Sequence, residues 1–336
     1  MNTELPLRLL DWIDKDKLNW SGLSRNPNAI ALLRENPLQI CWYELSQNPN
    51  AIALLRENLL KINWTHLSQN PCAEAIALLK ENPLKIDWGW LSRNSTAEAI
   101  ALLKENPLKI DWFNLSQNPC AEAIALLKEN PDKINWWHLS YNPTAEAIAL
   151  LKEHPLRIDW SRLSSNSSLD AIALLKKNPL KIIWTNLSLN PCAEAIALLK
   201  ENPLKIDWGY LSSNRNAEAI SLLKENPDKI WWKVLSLNPC AEAIALLKEN
   251  HLKIDWYYLS ENPNAEAIAL LKENPFKNNW FMLSQNPNIF AYDYDKMREN
   301  MLLFKEDLMK ERFHPRNLRK FSSWGHSGGI DESDDE

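Results

Sequence analysis

"NPCAEAIALLKENPLKIDW", residues Asn70–Trp88, decides the fold of this chain. Its middle, Ala73–Glu81, is built, Ile76 apart, from Ala, Leu, Glu and Lys, the strongest helix formers. Glu74 stands near the start of that helix and Lys80 near its end, the arrangement the helix dipole favours. Asn82-Pro83 stops it, because proline disfavours helical geometry in the residue before it. Asp87 then precedes Trp88 as an N-cap, with Ile86 and Leu91 at the spacing of a hydrophobic staple. One stretch therefore holds a capped helix, its stop and the start of a second, shorter helix.

Nearly the same words return along the chain. Trp20, Trp42, Trp64, Trp88, Trp112, Trp136, Trp160, Trp184, Trp208, Trp232, Trp256 and Trp280 are spaced by 22, 22 and then 24 residues nine times. A fixed short period signals repeats that bury their apolar faces only against neighbours. The consensus is D-W-x-x-L-S-x-N-P-x-A-E-A-I-A-L-L-K-E-N-P-L-K-I. The residue before the tryptophan is Asp or Asn in nine of the twelve repeats. Trp and the Leu three places on share one helix face, which predicts that both enter the core. Asn recurs in all twelve repeats, from Asn26 to Asn286, while the proline after it is lost at Ser95, Ser167 and Arg215. This predicts that Asn is the fixed cap of the longer helix and Pro a pre-organised extra. The first two repeats lack the Ala-Glu pair just after the cap, which predicts a shorter second helix there. A leucine-rich repeat has a similar period but needs an alternating strand, and W-x-x-L-S offers period three.

The expected fold is therefore all-α: an αα-hairpin solenoid, or superhelix, of about twelve 22–24-residue repeats with helical caps. Residues 1–19 read as an N-terminal capping segment covering the first repeat, and 20–290 as the solenoid. Residues 291–324 read as a C-terminal helical cap with Met297, Met301, Phe304 and Leu308 on one face, followed by a short helix from His314-Pro315. Residues 325–336, Gly-rich then acidic, read as a disordered tail.

Composition narrows the chemistry. The net charge of −5 disfavours a general nucleic-acid or anionic-membrane binder, and only six glycines leave little for phosphate-cradling loops. No signal peptide and no apolar stretch long enough to span a bilayer are read, which predicts an intracellular, non-secreted, monomeric protein without a membrane partner. The sequons at Asn94, Asn114, Asn166 and Asn186 then fall out of the repeat by chance.

Cys72, Cys120, Cys192 and Cys240 share one slot, two or three repeats apart. Their sulfurs should lie about 20 Å apart, too far for a disulfide or a shared metal. They read as small fillers near a helix N-terminus, where a thiol is expected to be somewhat acidic. Cys41 stands in the cap slot before Trp42. His154 and His251 replace repeat letters. No nucleophile is paired with a base, so the expectation is no enzyme, no cofactor and no metal.

Three positions vary freely: the two after Trp and the one between Ser and Asn. They lie at about 100°, 200° and 140° from Trp, one outward stripe on the short helix. Their occupants include Tyr43, His66, Trp90, Phe113, Trp137, His138, Tyr141, Arg162, Tyr210, Lys233, Tyr257, Tyr258 and Phe281. Drift on a solvent face should favour small polar and charged residues, whereas aromatics and Arg anchor interfaces. The stripe is thus the candidate partner-binding surface, set against unselected drift. The expected partner is a protein; nucleic acid is disfavoured by the acidic balance and the lack of an Arg row. A single-stranded nucleic-acid reader and a purely structural spacer are the alternatives.

The words "LLDWIDKDKLNWSGLSRNPNAIALL" and the unit "IDWxxLSxNPxAxxLL" resemble repeat proteins of large nucleocytoplasmic DNA viruses of algae and amoebae. The end "FKEDLMKERFHPRNLRKFSSWG" is similar to a C-terminal segment found in such proteins. The resemblance implies a viral origin, a host or viral protein partner, and a place in the host cytoplasm or the virion. It brings no catalytic residues.

Overall fold

The computed structural model describes residues 6–312. Every repeat opens with a short helix that begins at its tryptophan, such as Trp88–Arg93. In nine repeats the side chain of the preceding Asp or Asn accepts a backbone N–H of the first turn, as Asp87 does from Trp90. Cys41, Ile183 and Trp231 fill that place without a side-chain cap. The third to eleventh repeats then carry a nine-residue helix such as Ala97–Glu105. In the first two it shortens to Ile30–Glu35 and Ile52–Arg56, each preceded by a single 3-10 turn. The helix-ending Asn folds back so that its Nδ2 donates to the carbonyl four residues earlier, as Asn82 does to Leu78 at 2.9 Å. A 3-10 turn such as Pro83–Lys85 leads into the next repeat. The chain is thus the expected all-α αα-repeat solenoid.

Between the two helical layers lies a continuous core. The Leu91-type, Ala99-type and Leu103-type positions are fully buried wherever the repeat supplies them. The repeat tryptophans enter it only in part, short of the expected full burial. All twelve are half-buried. The indole lies toward the end of the following long helix. There Lys61 caps the ring of Trp42 at 4.7 Å, Lys277 that of Trp256 at 4.6 Å, and His154 meets Trp136 at 4.9 Å.

The repeats are tied by one serine and one asparagine each. The Ser92-type hydroxyl donates to the carbonyl of its own tryptophan, four residues back, in all twelve repeats. Its oxygen accepts the backbone N–H of the next repeat's cap residue, as from Asp111 at 3.0 Å. Asn118 donates Nδ2 to the carbonyls of Ser92 and Asn94 in the repeat before, both at 3.0 Å, and accepts from Cys120 N at 3.0 Å. These asparagines are at most 6% exposed. Their role corrects the expected one. They make Asx turns and join repeats, while the cap of the long helix is the residue two places on, as at Thr96 and Asn216.

Within residues 10–290 the array does not end in open faces. The short helix Trp20–Arg25 of the first repeat packs on Trp280–Gln285 of the twelfth. The same bonds recur across this seam. Asn19 N donates to Ser284 Oγ at 2.7 Å, and Asn26 Nδ2 donates to the carbonyls of Ser284 and Asn286 at 3.2 and 2.9 Å. The solenoid is a closed ring of twelve repeats, not an open superhelix.

Residues 10–19 therefore serve the twelfth repeat and do not cover the first. After Ile289 that repeat has no long helix. Leu10 N donates to Ile289 O at 2.9 Å, and Leu10, Asp11 and Trp12 line one cavity with Ala265, Ile268 and Ala269 of the preceding long helix. The 3-10 turn Lys15–Lys17 stands where Pro83–Lys85 stands in the third repeat. Lys17 covers Trp280 at 5.4 Å, as Lys277 covers Trp256. With Trp20–Arg25 packed on Trp280–Gln285, the first repeat leaves no open face for residues 10–19 to cover.

Residues 6–9 and 291–312 form a second, smaller unit. Strand β1 (Leu7–Leu9) pairs with β2 (Phe290–Tyr292), and Asp293 N donates to Pro6 O at 2.9 Å. A helix follows over Tyr294–Arg312, on which Met297 is half-buried and Met301 exposed. The side chains of Phe304 and Leu308, the helix from His314-Pro315 and the acidic tail lie outside what is described.

Candidate interaction surface on the inner face of the ring

In a closed ring the inner layer must have the closer spacing, and here that layer is the short helices. A Cβ placed on Gly22 would stand 3.0 Å from Ser284 Cβ of the neighbouring helix. The long helices are far enough apart to be bridged by full-length side chains. Arg34 reaches Glu57 at 2.8 Å, Arg56 reaches Glu81 at 3.0 Å, and Lys224 reaches Glu249 at 3.0 Å. Lys200–Glu218 and Lys248–Glu266 are further pairs of this kind. Twelve short helices about 9 Å apart close on a circle of roughly 17 Å radius. Allowing about 5 Å for each helix and its side chains leaves an opening roughly 20–25 Å across. The variable stripe, on the side of the short helices away from the long ones, faces that opening.

The structure brings the stripe residues together by a regular rule. The first residue after Trp in one repeat meets the second residue after Trp in the next. Tyr43 packs on His66 with ring centroids 3.8 Å apart, and Phe113 on His138 at 4.2 Å. Arg162 lies over Trp137 at 3.6 Å and Lys233 over Tyr258 at 5.0 Å. Asn186 donates to Ser161 Oγ at 2.7 Å in the same way. Contacts within a repeat extend the rows: Trp137 touches His138 at 4.6 Å, Tyr257 touches Tyr258 at 5.1 Å, and Arg93 covers Trp90 at 5.8 Å. Phe113, His138, Trp137 and Arg162 thus form one cluster across three repeats. Tyr210 and Phe281 make no such ring contact among the described residues.

The rule divides the candidates by burial. The second-position residues are mostly tucked between helices; His66 is 8% exposed, and Trp90, His138, Arg162 and Tyr258 are half-buried. Tyr43, Phe113, Trp137, Tyr141, Tyr210, Tyr257 and Phe281 keep 42–53% of their surface exposed. Lys233 is exposed as well.

Burial sets the electrostatics of the two histidines. Desolvation, with a smaller contribution from Arg25, holds His66 below the usual imidazole value, against a pull upward from Glu44. Desolvation does the same to His138, reinforced by Arg162 and Arg93. His138 Nε2 is buried without a hydrogen-bond partner. Imidazoles held low in basicity, packed among aromatics and stacked cations, make a surface for apolar and π contacts.

Sequence reasoning missed Trp231. It occupies a cap slot, yet 61% of it is exposed, and its indole fills the space beside Gly209 of the preceding repeat. The signal was a glycine in one repeat opposite an extra tryptophan in the next. The cysteine slot is corrected in the other direction. Cys72, Cys120, Cys192 and Cys240 donate Sγ to Glu74, Glu122, Glu194 and Glu242 at 2.6–2.9 Å. Burial first, and then the neighbouring carboxylate, push these thiols above their usual value, so they are less acidic than a helix N-terminus alone predicts. Cys41 is half-buried.

No helix among the described residues is long and apolar enough to cross a membrane. No protein-family model, curated protein or solved structure matches the chain.

Proposed function

We propose that this protein is a non-enzymatic ring scaffold that takes a segment of another protein into its central opening. The observation that supports this reading is the set of seven half-exposed aromatic side chains on the inner circle. A concave wall of aromatics with cations stacked among them suits a segment carrying apolar and acidic side chains. The stripe positions carry Arg25, Arg93, Arg162 and Lys233 against Glu44 and Glu261, which favours an acidic segment. On the resemblance noted above, the partner would be a host or viral protein, met in the infected cell or the virion.

The test is affinity capture on the full chain, with and without nuclease, beside a variant with Trp137, Tyr141, Tyr257 and Tyr258 replaced by Ser. The wild type should retain a partner after nuclease and the variant should lose it, with helicity unchanged. Partners that vanish with nuclease would favour a nucleic-acid reader instead. Capture that survives the four substitutions would remove the stripe from the mechanism.

A further inference from the structure

The turn between repeats carries a feature that the stripe does not explain. Its central residue is apolar in nine of twelve turns and lies fully in solvent. Leu38, Leu84, Leu108, Leu156, Leu180 and Leu204 are 97–99% exposed, and Leu60, Leu252 and Phe276 continue the row. None of them packs on the rest of the chain. The turn does not require them either, because Asp132 and Asp228 take the same place with the same entry geometry. The residue before the turn has φ −132° and ψ 62° at Asn130, and −131° and 61° at Asn82. Flanking letters change while the slot stays apolar: Leu59 and His251 replace Pro, and Arg157 replaces Lys.

Closure of the ring decides where these side chains lie. Equivalent residues of a closed ring fall on one circle. The turn links the outer helical layer to the inner one, so the circle is a rim. Beside eight of the nine apolar residues stands a Lys or Arg; Leu38 has Gln39 instead. The twelve turns hold twelve Lys or Arg, counting Lys15 and Lys17, against three Asp, namely Asp16, Asp132 and Asp228. Among the described residues Lys85, Lys109, Arg157, Lys181, Lys205 and Lys253 make no ion pair. The bridging pairs between long helices use the Lys80-type row instead. The Glu81-type carboxylates end the long helices just before the turns, and Glu57, Glu81 and Glu249 among them are taken up by Arg34, Arg56 and Lys224. The Glu74-type row marks the start of the long helices and the Leu–Lys turns follow their end.

We propose that this rim docks the ring on an anionic lipid bilayer. The leucines enter the headgroup boundary, and the lysines meet the phosphates and carboxylates around them. The docking is peripheral. A second copy stacked rim to rim would set lysine circles against each other, so the charge pattern favours lipid.

The experiment is co-sedimentation of the full chain with phosphatidylcholine vesicles and with phosphatidylcholine–phosphatidylserine vesicles. The wild type should bind the serine-lipid vesicles alone, and lose binding between about 50 and 500 mM salt. Joint Leu84→Ser, Leu108→Ser, Leu180→Ser and Leu204→Ser should weaken binding at least about tenfold at low salt. Helicity and Tm should not move, because these side chains are already in solvent. Asp132→Leu with Asp228→Leu should strengthen binding. The proposal is overturned if the wild type ignores both vesicles, or if the four-serine variant binds as well as the wild type. Light scattering that shows a dimer reverting to monomer in that variant would also overturn it, assigning the rim to a second copy.

Discussion

The junction between the fourth and fifth repeats and the seam between the twelfth and the first are built from the same bonds. In one, Asn118 reaches back 24 residues to Asn94; in the other, Asn26 reaches 260 residues to Asn286. The distances agree within the scatter of ordinary hydrogen bonds. The difference is connectivity. Internal junctions are held by covalent continuity as well as by Ser, Asn and the core, whereas the seam is held by non-covalent contacts alone. Loop-closure entropy grows slowly, by about 0.6 kcal/mol per doubling, so joining ends 260 residues apart costs only about 2 kcal/mol more than joining ends 24 apart. A repeat that already pairs with its neighbour can thus pair with its own first copy, provided the angle per repeat closes the circle.

Removing one asparagine tests that equivalence most severely. Asn118→Ala leaves the carbonyls of Ser92 and Asn94 buried without a donor, and Asn26→Ala does the same to Ser284 and Asn286. Each should cost about 2–4 kcal/mol. The expected difference is in kind. Asn26→Ala should release amide protection around 19–26 and 280–286 before global unfolding and raise the radius of gyration by X-ray scattering, while Asn118→Ala should lower the main transition. Identical exchange patterns in the two variants would mean that the seam is no weaker than an internal junction.

How much of this was legible follows from where each signal resides. Helix boundaries, the Asp and Asn caps and the shortened helices of the first two repeats are local, so periodicity and capping chemistry show them. Closure is not local. It depends on the small rotation between successive repeats, which no single letter encodes, although Asp14–Trp20 could have been aligned with Asn82–Trp88 as the missing end of a repeat. Invariance of Ser92-type residues was visible, but its reason, a hydroxyl that accepts from one repeat while donating within another, needs the neighbour in place. The tryptophans misled in part because spacing reports a shared helix face and says nothing of how deeply an indole is buried. The aromatic stripe was legible as a list; its pairing rule, first position onto second, was not.

A smaller effect separates two glycines. Gly22 lies at the seam, where an added Cβ would stand 3.0 Å from Ser284 Cβ and 3.1 Å from Gln285 Cγ, the first of these part of the packed inner layer. Gly89, between the fourth and fifth repeats, would meet nothing closer than 3.4 Å. Alanine is the better helix former by about 1 kcal/mol. Gly89→Ala should therefore raise Tm, by roughly 0.5–1 kcal/mol of stability. Gly22→Ala should lose that gain to the close approach and lower Tm, with the seam amides exchanging faster. If both variants gain stability, the seam has room to spare and its tightness is not what aligns the closing helices.

The mildest perturbation is pH, and it reads junctions away from the seam. His66 and His138 are held below the usual imidazole value of 6.5 by burial between neighbouring repeats. A base whose folded value is depressed binds fewer protons folded than unfolded once the pH falls below the unfolded value. Its contribution to stability is complete above 6.5 and declines as the pH falls through 6.5 toward the folded value. Tm should thus drop between pH 7 and about pH 5, a range in which carboxylates such as Glu57 and Glu266, held low by Arg34 and Lys248, stay charged. Joint His66→Gln and His138→Gln should flatten that slope and leave the exchange rates of the seam amides unchanged, because neither histidine makes a ring contact or hydrogen bond to the first or twelfth repeat, and Arg25 acts on His66 only through its charge. A slope that persists in the double variant would assign the acid sensitivity to another group and remove the histidines from the account of how repeats are held together.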